Sequence, residues 1–311
     1  MNEPLLPSSS DPVPQELFND SGHRYRMPLF LLELAADPKV SVRFELPTFE
    51  RPVSQLCTDN QFTEPAYVAR SAELKTPLVR HRKYWEWCYV LQSMYVSGII
   101  APGNRALGFG TGREPLPSLL ASRGMTVLAT DAPIELDEMQ GWTTTGQHSQ
   151  ATLDLYVEGL VARDVFLDRV SFRPVDMTAI PPDLVDFDVC WSSCCFEHLG
   201  SIEAGLQFVE DSLQCLRPGG LAIHTTELNL DSNEITLETK TLSIFRKRDV
   251  EELCRRLVAS GHQVWPLNFH PGLTQLDEVI DLPPFSLPHL KLQIAGITTT
   301  SIGITVRKAI A

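Results

Sequence analysis

The rhythm of hydrophobic and polar positions changes twice along the chain. Residues 1–15, MNEPLLPSSSDPVPQ, show no period and are rich in Pro and Ser, which predicts a disordered tail. From 16 to about 60 the pattern is mixed. Residues 40–46 (VSVRFEL) alternate apolar with polar and predict a strand, which Pro47 and Pro52 end. Between 65 and 100 the spacing turns helical. A short helix is expected over 66–74, ended near Pro77. A longer one is expected over 79–96, where Trp85, Cys88, Tyr89, Gln92 and Val96 recur at three- and four-residue steps until Gly98. Arg80, His81, Arg82 and Lys83 make one end of it basic. Two readings stay open: a core-facing amphipathic helix with a solvated basic end, or an end that covers a ligand through Arg82, Tyr84 and Trp85.

After Pro102 the rhythm becomes strand, turn, helix, repeated. Strands are expected over 105–108, 125–130, 170–175, 187–191, 221–226, 263–269 and 298–306, and helices over 117–123, 151–161, 202–216 and 247–260. Strands alternating with helices imply βαβ units, hence an α/β fold with a mostly parallel sheet and helices on both faces. The last strands follow one another without a helix between them, which predicts an antiparallel pair at one edge. The chain then divides into a tail (1–15), a mainly helical cap or lid (16–100) and an α/β domain (101–311).

Composition narrows the function. No apolar run approaches the roughly 18 residues of a membrane span, and no basic-then-apolar leader is visible, so a cytoplasmic protein without a membrane partner is expected. The net charge of −13, from 26 basic and 39 acidic residues, argues against a nucleic-acid partner. The cysteines, Cys57, Cys88, Cys190, Cys194, Cys195, Cys215 and Cys254, form no regular framework and no CxxC pair, as expected of reduced thiols. Cys194 and His198 have the spacing of a ligand pair on a helix, but no second pair follows, so no metal is expected.

The most informative segment is LGFGTG, residues 107–112, directly after a strand. Glycines at 108, 110 and 112 let the backbone turn sharply and approach a ligand. The spacing is GxGxG rather than the GxGxxG dinucleotide fingerprint. Asp131 ends the next strand, where a carboxylate can accept both hydroxyls of a ribose. Asp176 and Met177 end the third strand, where an acid can accept an adenine amino hydrogen. FDVCWSSCCFEHL, residues 187–199, ends the fourth. Ligands of open α/β sheets sit beyond the carboxyl ends of the strands, so these four ends converge on one pocket.

These pieces, LGFGTG, VLATDAP, VDMTAIP, EHL and LRPGG, resemble class I S-adenosylmethionine-dependent methyltransferases over residues 100 to 310. The resemblance implies a doubly wound, Rossmann-like, seven-stranded sheet whose last strand is antiparallel. It implies that the loop of Gly108, Phe109, Gly110 and Gly112 passes under the methionine part of S-adenosylmethionine. Asp131 with Ala132 would hold the ribose, Asp176 with Met177 the adenine, and Ser192 and Ser193 would border the same pocket. One departure stands out: where such proteins carry an acid two residues before the first glycine, this chain has Ala106. Glu114, just past the loop, is a candidate replacement, with a helix-start role as its alternative. The segment containing LVRHRKYWEW resembles a subgroup with a long N-terminal cap and unassigned substrate.

In-line attack on a sulfonium methyl needs positioning and, for a hydroxyl or ammonium nucleophile, removal of a proton. Candidate bases are His198, Glu197 and Glu227, with His198 favoured, while His224 within its strand reads as a core histidine. The expected activity is methyl transfer to a small molecule. Two alternatives stay open: cyclisation of the cofactor's own methionine chain with release of methylthioadenosine, and cofactor binding without catalysis. Nothing in the sequence indicates the oligomeric state.

Overall fold

The computed structural model describes residues 16–18, 24–133 and 149–310, with side chains from Met27 onward; the expected tail, 1–15, lies outside the described residues. Its centre is a nine-stranded sheet. We label its strands β1 (Arg105–Phe109), β2 (Thr126–Asp131), β3 (Val170–Pro174), β4 (Phe187–Ser193), β5 (Leu216–Asn229), β6 (Gln263–Val264), β7 (Ile280–Asp281), β8 (Lys291–Ile294) and β9 (Ile297–Arg307). The order across the sheet is β3-β2-β1-β4-β5-β9-β8-β7, with β6 also paired to β9. Strands β3, β2, β1, β4 and β5 are mutually parallel, and β9 runs antiparallel to β5. This is the mostly parallel architecture expected. The antiparallel pair at the edge is the β8–β9 hairpin, and the short strands there widen the sheet beyond seven.

Side-chain alternation builds a layer on each face. Ala106, Val127, Val189, Trp191, Leu221 and Ile223 face one core, together with helices α1 (Pro65–Leu74), α2 (Arg82–Val96), α3 (Leu116–Ser122) and α4 (Arg163–Arg169). Leu107, Phe109, Cys190, Ala222, Ile302 and Ile304 face the other, with α5 (Ile202–Ser212) and α6 (Lys247–Ala259). β4 is buried along its whole length, as a central strand covered on both faces must be.

The N-terminal segment departs from a mainly helical cap. Helix α1 begins only at Pro65, after 3₁₀ turns at Leu29–Leu32 and Asp59–Thr63. The expected strand shrinks to Val42–Arg43, which joins Ser54–Gln55 on either side of Leu267–Asn268 in a small parallel sheet. Helix α2 packs on β9, β4 and β5 and is part of the sheet's covering layer. Trp85 stacks on Tyr89 (5.0 Å, 20°) and donates from Nε1 to Gln61 (2.9 Å), and the Tyr89 hydroxyl donates to the Val53 carbonyl (2.8 Å). The Tyr89 ring occupies the space a Cβ at Gly303 of β9 would fill, so only glycine lets helix and strand approach this closely.

Three other expectations moved for local reasons. No helix covers 151–161: Asp154 accepts the N–H groups of Gln150 (2.9 Å) and Ala151 (3.1 Å), closing a 3₁₀ turn at Thr152–Leu155, and Gly159 then turns the chain at φ +78°. The strand at 263–269 is cut at Pro266, which has no N–H to give a ladder, so Leu267–Asn268 joins the small sheet instead. LRPGG belongs to β5: the strand starts at Leu216, and a register shift against β4 absorbs the turn residues. Among the described residues no helix is long and apolar enough to cross a membrane, and all seven cysteines are unpaired.

Candidate functional site

The chain winds from β1 to β2 and β3 on one side and returns through β4 and β5 on the other. The switch point therefore lies between the carboxyl ends of β1 and β4. The glycine loop leaves β1 there. Gly110 and Gly112 have φ of +55° and +50°, a conformation that favours glycine. The loop is tightly packed. A Cβ at Gly110 would sit 2.8 Å from Cys195 Sγ and 3.6 Å from Met177 Sδ, and one at Gly108 would sit 2.6 Å from the Trp191 ring. Phe109 is buried with its ring against the edge of Phe208 (5.2 Å), and its carbonyl accepts the Cys195 thiol (3.6 Å).

Asp131 closes this loop. Its carboxylate accepts the N–H groups of Ala132 (2.9 Å), Ser149 (3.0 Å) and Gly112 (3.2 Å), and the Ser149 hydroxyl donates to the Gly112 carbonyl. Asp176, at the end of β3, accepts from the Thr178 N–H (2.8 Å) and hydroxyl (2.7 Å), so one of its oxygens holds its own turn. Glu114 is 2% exposed and accepts from Trp191 Nε1. Among the described residues no Lys or Arg lies within salt-bridge distance of it, and burial pushes its carboxyl up to about 8.

Beside the loop, at the ends of β4 and β5, lies a buried charged cluster. Arg82 pairs with Glu86 (3.2 Å) and with Glu227, and donates to Ser301 Oγ (3.1 Å). Lys83 pairs with Glu86 (2.7 Å) and donates to the Ser193 carbonyl (3.2 Å), which ties α2 to the end of β4. The Cys194 thiol and the Ser301 hydroxyl donate to Glu86 (3.1 and 2.6 Å), and the Thr226 hydroxyl donates to Glu197 (3.1 Å). Burial alone would raise the Glu86 carboxyl, but Lys83 and Arg82 hold it below the usual carboxylate range. Glu197 differs: burial, with Glu227 nearby, raises it, and His198 and Lys83 offset that only in part. Burial raises the Cys194 and Cys195 thiols as well, which keeps them protonated. Cys194 Sγ and one carboxylate oxygen each of Glu197 and Glu227 lie within 4.8 Å of one another. Three polar atoms here are buried without a hydrogen-bond partner, Glu227 Oε2, Arg82 Nε and Ser193 Oγ.

The structure thus gathers Glu197, Glu227, Arg82 and Ser193 in one cluster, and Gly108, Phe109, Gly110, Gly112, Glu114, Asp131, Ala132 and Met177 around the adjoining loop. It leaves others aside. His198 bonds through Nδ1 to the Thr241 carbonyl (2.7 Å), away from Cys194, whose thiol turns to Glu86. Ser192 Oγ bonds His224 Nδ1 (2.7 Å), whose Nε2 meets Ser212 (3.1 Å). Burial lowers that imidazole to about 3, so it is the neutral core histidine expected. Trp85 is a core residue, and Tyr84 packs against His81 (5.0 Å) and Trp87 (5.7 Å). Sequence reasoning passed over Glu86 and Ser301 as site residues, set Cys194 aside as a metal ligand, and named Lys83 only within the basic end of the helix. The Arg82/Glu86 and Lys83/Glu86 spacings are ordinary helix pairs and were a readable signal. Ser301 had none, since β9 brings it in from the far end of the chain.

No known protein family's profile matches this chain, and no curated protein matches it. Among solved structures it is similar to a putative sarcosine dimethylglycine methyltransferase from Galdieria sulphuraria, 11% identical over 74% of this chain and 85% of that one, with a TM-score of 0.44. It is similar to an S-adenosylmethionine-dependent methyltransferase from Mesorhizobium loti, 12% identical over 72% and 97%, with a TM-score of 0.43. A third is the magnesium protoporphyrin IX methyltransferase of Synechocystis with bound S-adenosylhomocysteine, 12% identical over 71% and 80%, with a TM-score of 0.41.

Proposed function

We propose that the protein is an S-adenosylmethionine-dependent methyltransferase acting on a small molecule with a hydroxyl or amine nucleophile. The observation that carries this reading is the meeting, at the sheet's switch point, of a positive-φ glycine loop with two buried acids, Asp131 and Glu114. The donor chemistry fits the cofactor. Glu114 is a buried carboxyl without a cationic partner, which suits an ammonium group and takes the place of the loop acid that Ala106 lacks. Asp131 is set to exchange backbone N–H groups for ribose hydroxyls, with Met177 beside the loop for the adenine. When bound, S-adenosylmethionine supplies an electrophilic methyl group.

This chain's own part is positional and electrostatic. The cluster of Arg82, Lys83, Glu86, Glu197 and Glu227 orients the acceptor, and Glu197, which accepts from Thr226 within it, replaces His198 as the favoured proton acceptor, since His198 Nδ1 is taken up by the Thr241 carbonyl. Incubation with S-adenosylmethionine and a panel of small acceptors should release S-adenosylhomocysteine. Methylthioadenosine released without any acceptor would support cyclisation instead. Absence of calorimetric binding of S-adenosylmethionine and S-adenosylhomocysteine would end the reading.

A further inference from the structure

We infer that the Glu197–Glu227 end of the charged cluster is the acceptor subsite and that it takes an amine, whose N–H donates to Glu227 Oε2. This rests on the methyl-transfer reading. The starting point is an acceptor atom with nothing to accept: Glu227 is 3% exposed, one oxygen is held by Arg82, and the other is buried without a partner. Such an oxygen calls for a donor.

Three kinds of donor or cation compete for it, and charge decides between them. Among the described members of the cluster, Arg82 and Lys83 are offset by Glu86 and Glu227, and Glu197 adds a further acid. A hydroxyl would satisfy Glu227 but leave that excess uncorrected, whereas an ammonium brings the missing positive charge. A divalent metal ion would bring more charge than the site lacks. It would also lie beside the Arg82 guanidinium, which already contacts Glu227 and sits 3.7 Å from Cys194 Sγ, two of the three would-be ligands. The upward shift of Glu197 agrees with an acid awaiting a cation.

The same acid then has a task. An ammonium has no lone pair, so one proton must leave first. The Glu197 carboxylate takes it, giving a neutral amine and a carboxylic acid. The nitrogen lone pair forms the new C–N bond while the methyl–sulfur bond breaks, its electron pair staying on sulfur. The methylated nitrogen leaves as the ammonium or sheds its remaining proton to water.

The full-length protein, saturated with S-adenosylhomocysteine, tests this with ethylamine, propylamine and butylamine against ethanol, propanol and butanol, read by calorimetry and thermal shift. The amines should bind and the alcohols should not. Glu227→Gln should weaken amine binding at least tenfold and leave S-adenosylhomocysteine affinity unchanged. Glu197→Gln, which keeps the Arg82–Glu227 pair and guards against misfolding of the first variant, should do the same. It should also remove the loss of amine affinity that wild type shows on acidification. Equal binding of alcohols, amine binding untouched in both variants, or no amine binding at all would overturn the proposal. So would stoichiometric zinc or manganese, measured after dialysis and lost in Glu227→Gln. Amine binding by a protein that binds neither cofactor form would uphold the subsite and remove only the methyl-transfer reading.

Discussion

At the scale of single residues, Glu114 is the group most out of balance with its surroundings. Its carboxyl sits at about 8 in the folded protein against an ordinary 4.5, because burial disfavours the charge. The folded state therefore holds a proton that the unfolded chain gives up between those values. Stability must fall as pH rises through that window and level off above it. We expect the melting temperature of wild type relative to Glu114→Gln to decline from about pH 5 to about pH 8.5, as read by calorimetric melting. A cationic ligand reverses the balance, so S-adenosylmethionine binding near neutral pH should release a proton, visible as a binding enthalpy that varies with the buffer's ionisation heat. Asp131→Ala strips the acceptor from three backbone N–H groups as well as from a ribose. It should weaken S-adenosylhomocysteine binding by about 1.5–3 kcal/mol in calorimetry, with some loss of thermal stability.

At the scale of elements, α2 departs from both readings of its sequence, since its basic end is neither solvated nor seen over a ligand but paired inside the protein. Its middle turns are core, and its first turn carries Arg82 and Lys83 into the charged cluster. Trp85→Ala should cost about 3–5 kcal/mol in denaturant unfolding. Gly303→Ala should cost about 1–3 kcal/mol, since Tyr89 must give way to the added methyl. The strands of the parallel half were legible because their apolar runs are continuous and their ends are marked by Asp131, Asp176 and the glycine loop. The helix expected at 151–161 was not, since side-chain capping by Asp154 and the turn at Gly159 outweigh a weak apolar period. The glycine-loop half of the candidate site was readable as a spatial group for the same reason as the strands: its residues follow strand ends. The charged cluster was legible only in part: Arg82, Glu197 and Glu227 stood out one by one, but their meeting with Glu86 and Ser301 depends on the β5–β9 ladder and the docking of α2.

At the scale of the whole molecule, the described residues 27–100 are structural before they are anything else. Removing residues 1–100 would bare one face of the sheet, including Trp191, Val189 and Ile223. We expect such a truncation to be insoluble or to lack a cooperative unfolding transition, measured by circular dichroism on heating. A soluble fragment with a sharp transition would show that α1 and α2 are accessory. The net charge of −13 leaves the whole molecule strongly acidic, which favours solubility over binding to a polyanion.

The close fit of Tyr89 over Gly303 has a temporal side. The surface α2 packs against includes β9, whose residues are among the last to be made. A chain growing from its N-terminus must wait for the Tyr89–Gly303 contact while some two hundred further residues are synthesised, roughly ten to forty seconds at ordinary elongation rates. An early helix of the chain thus completes its packing only when the last strand is made. A stalled message would leave the β9 side of that helix uncovered.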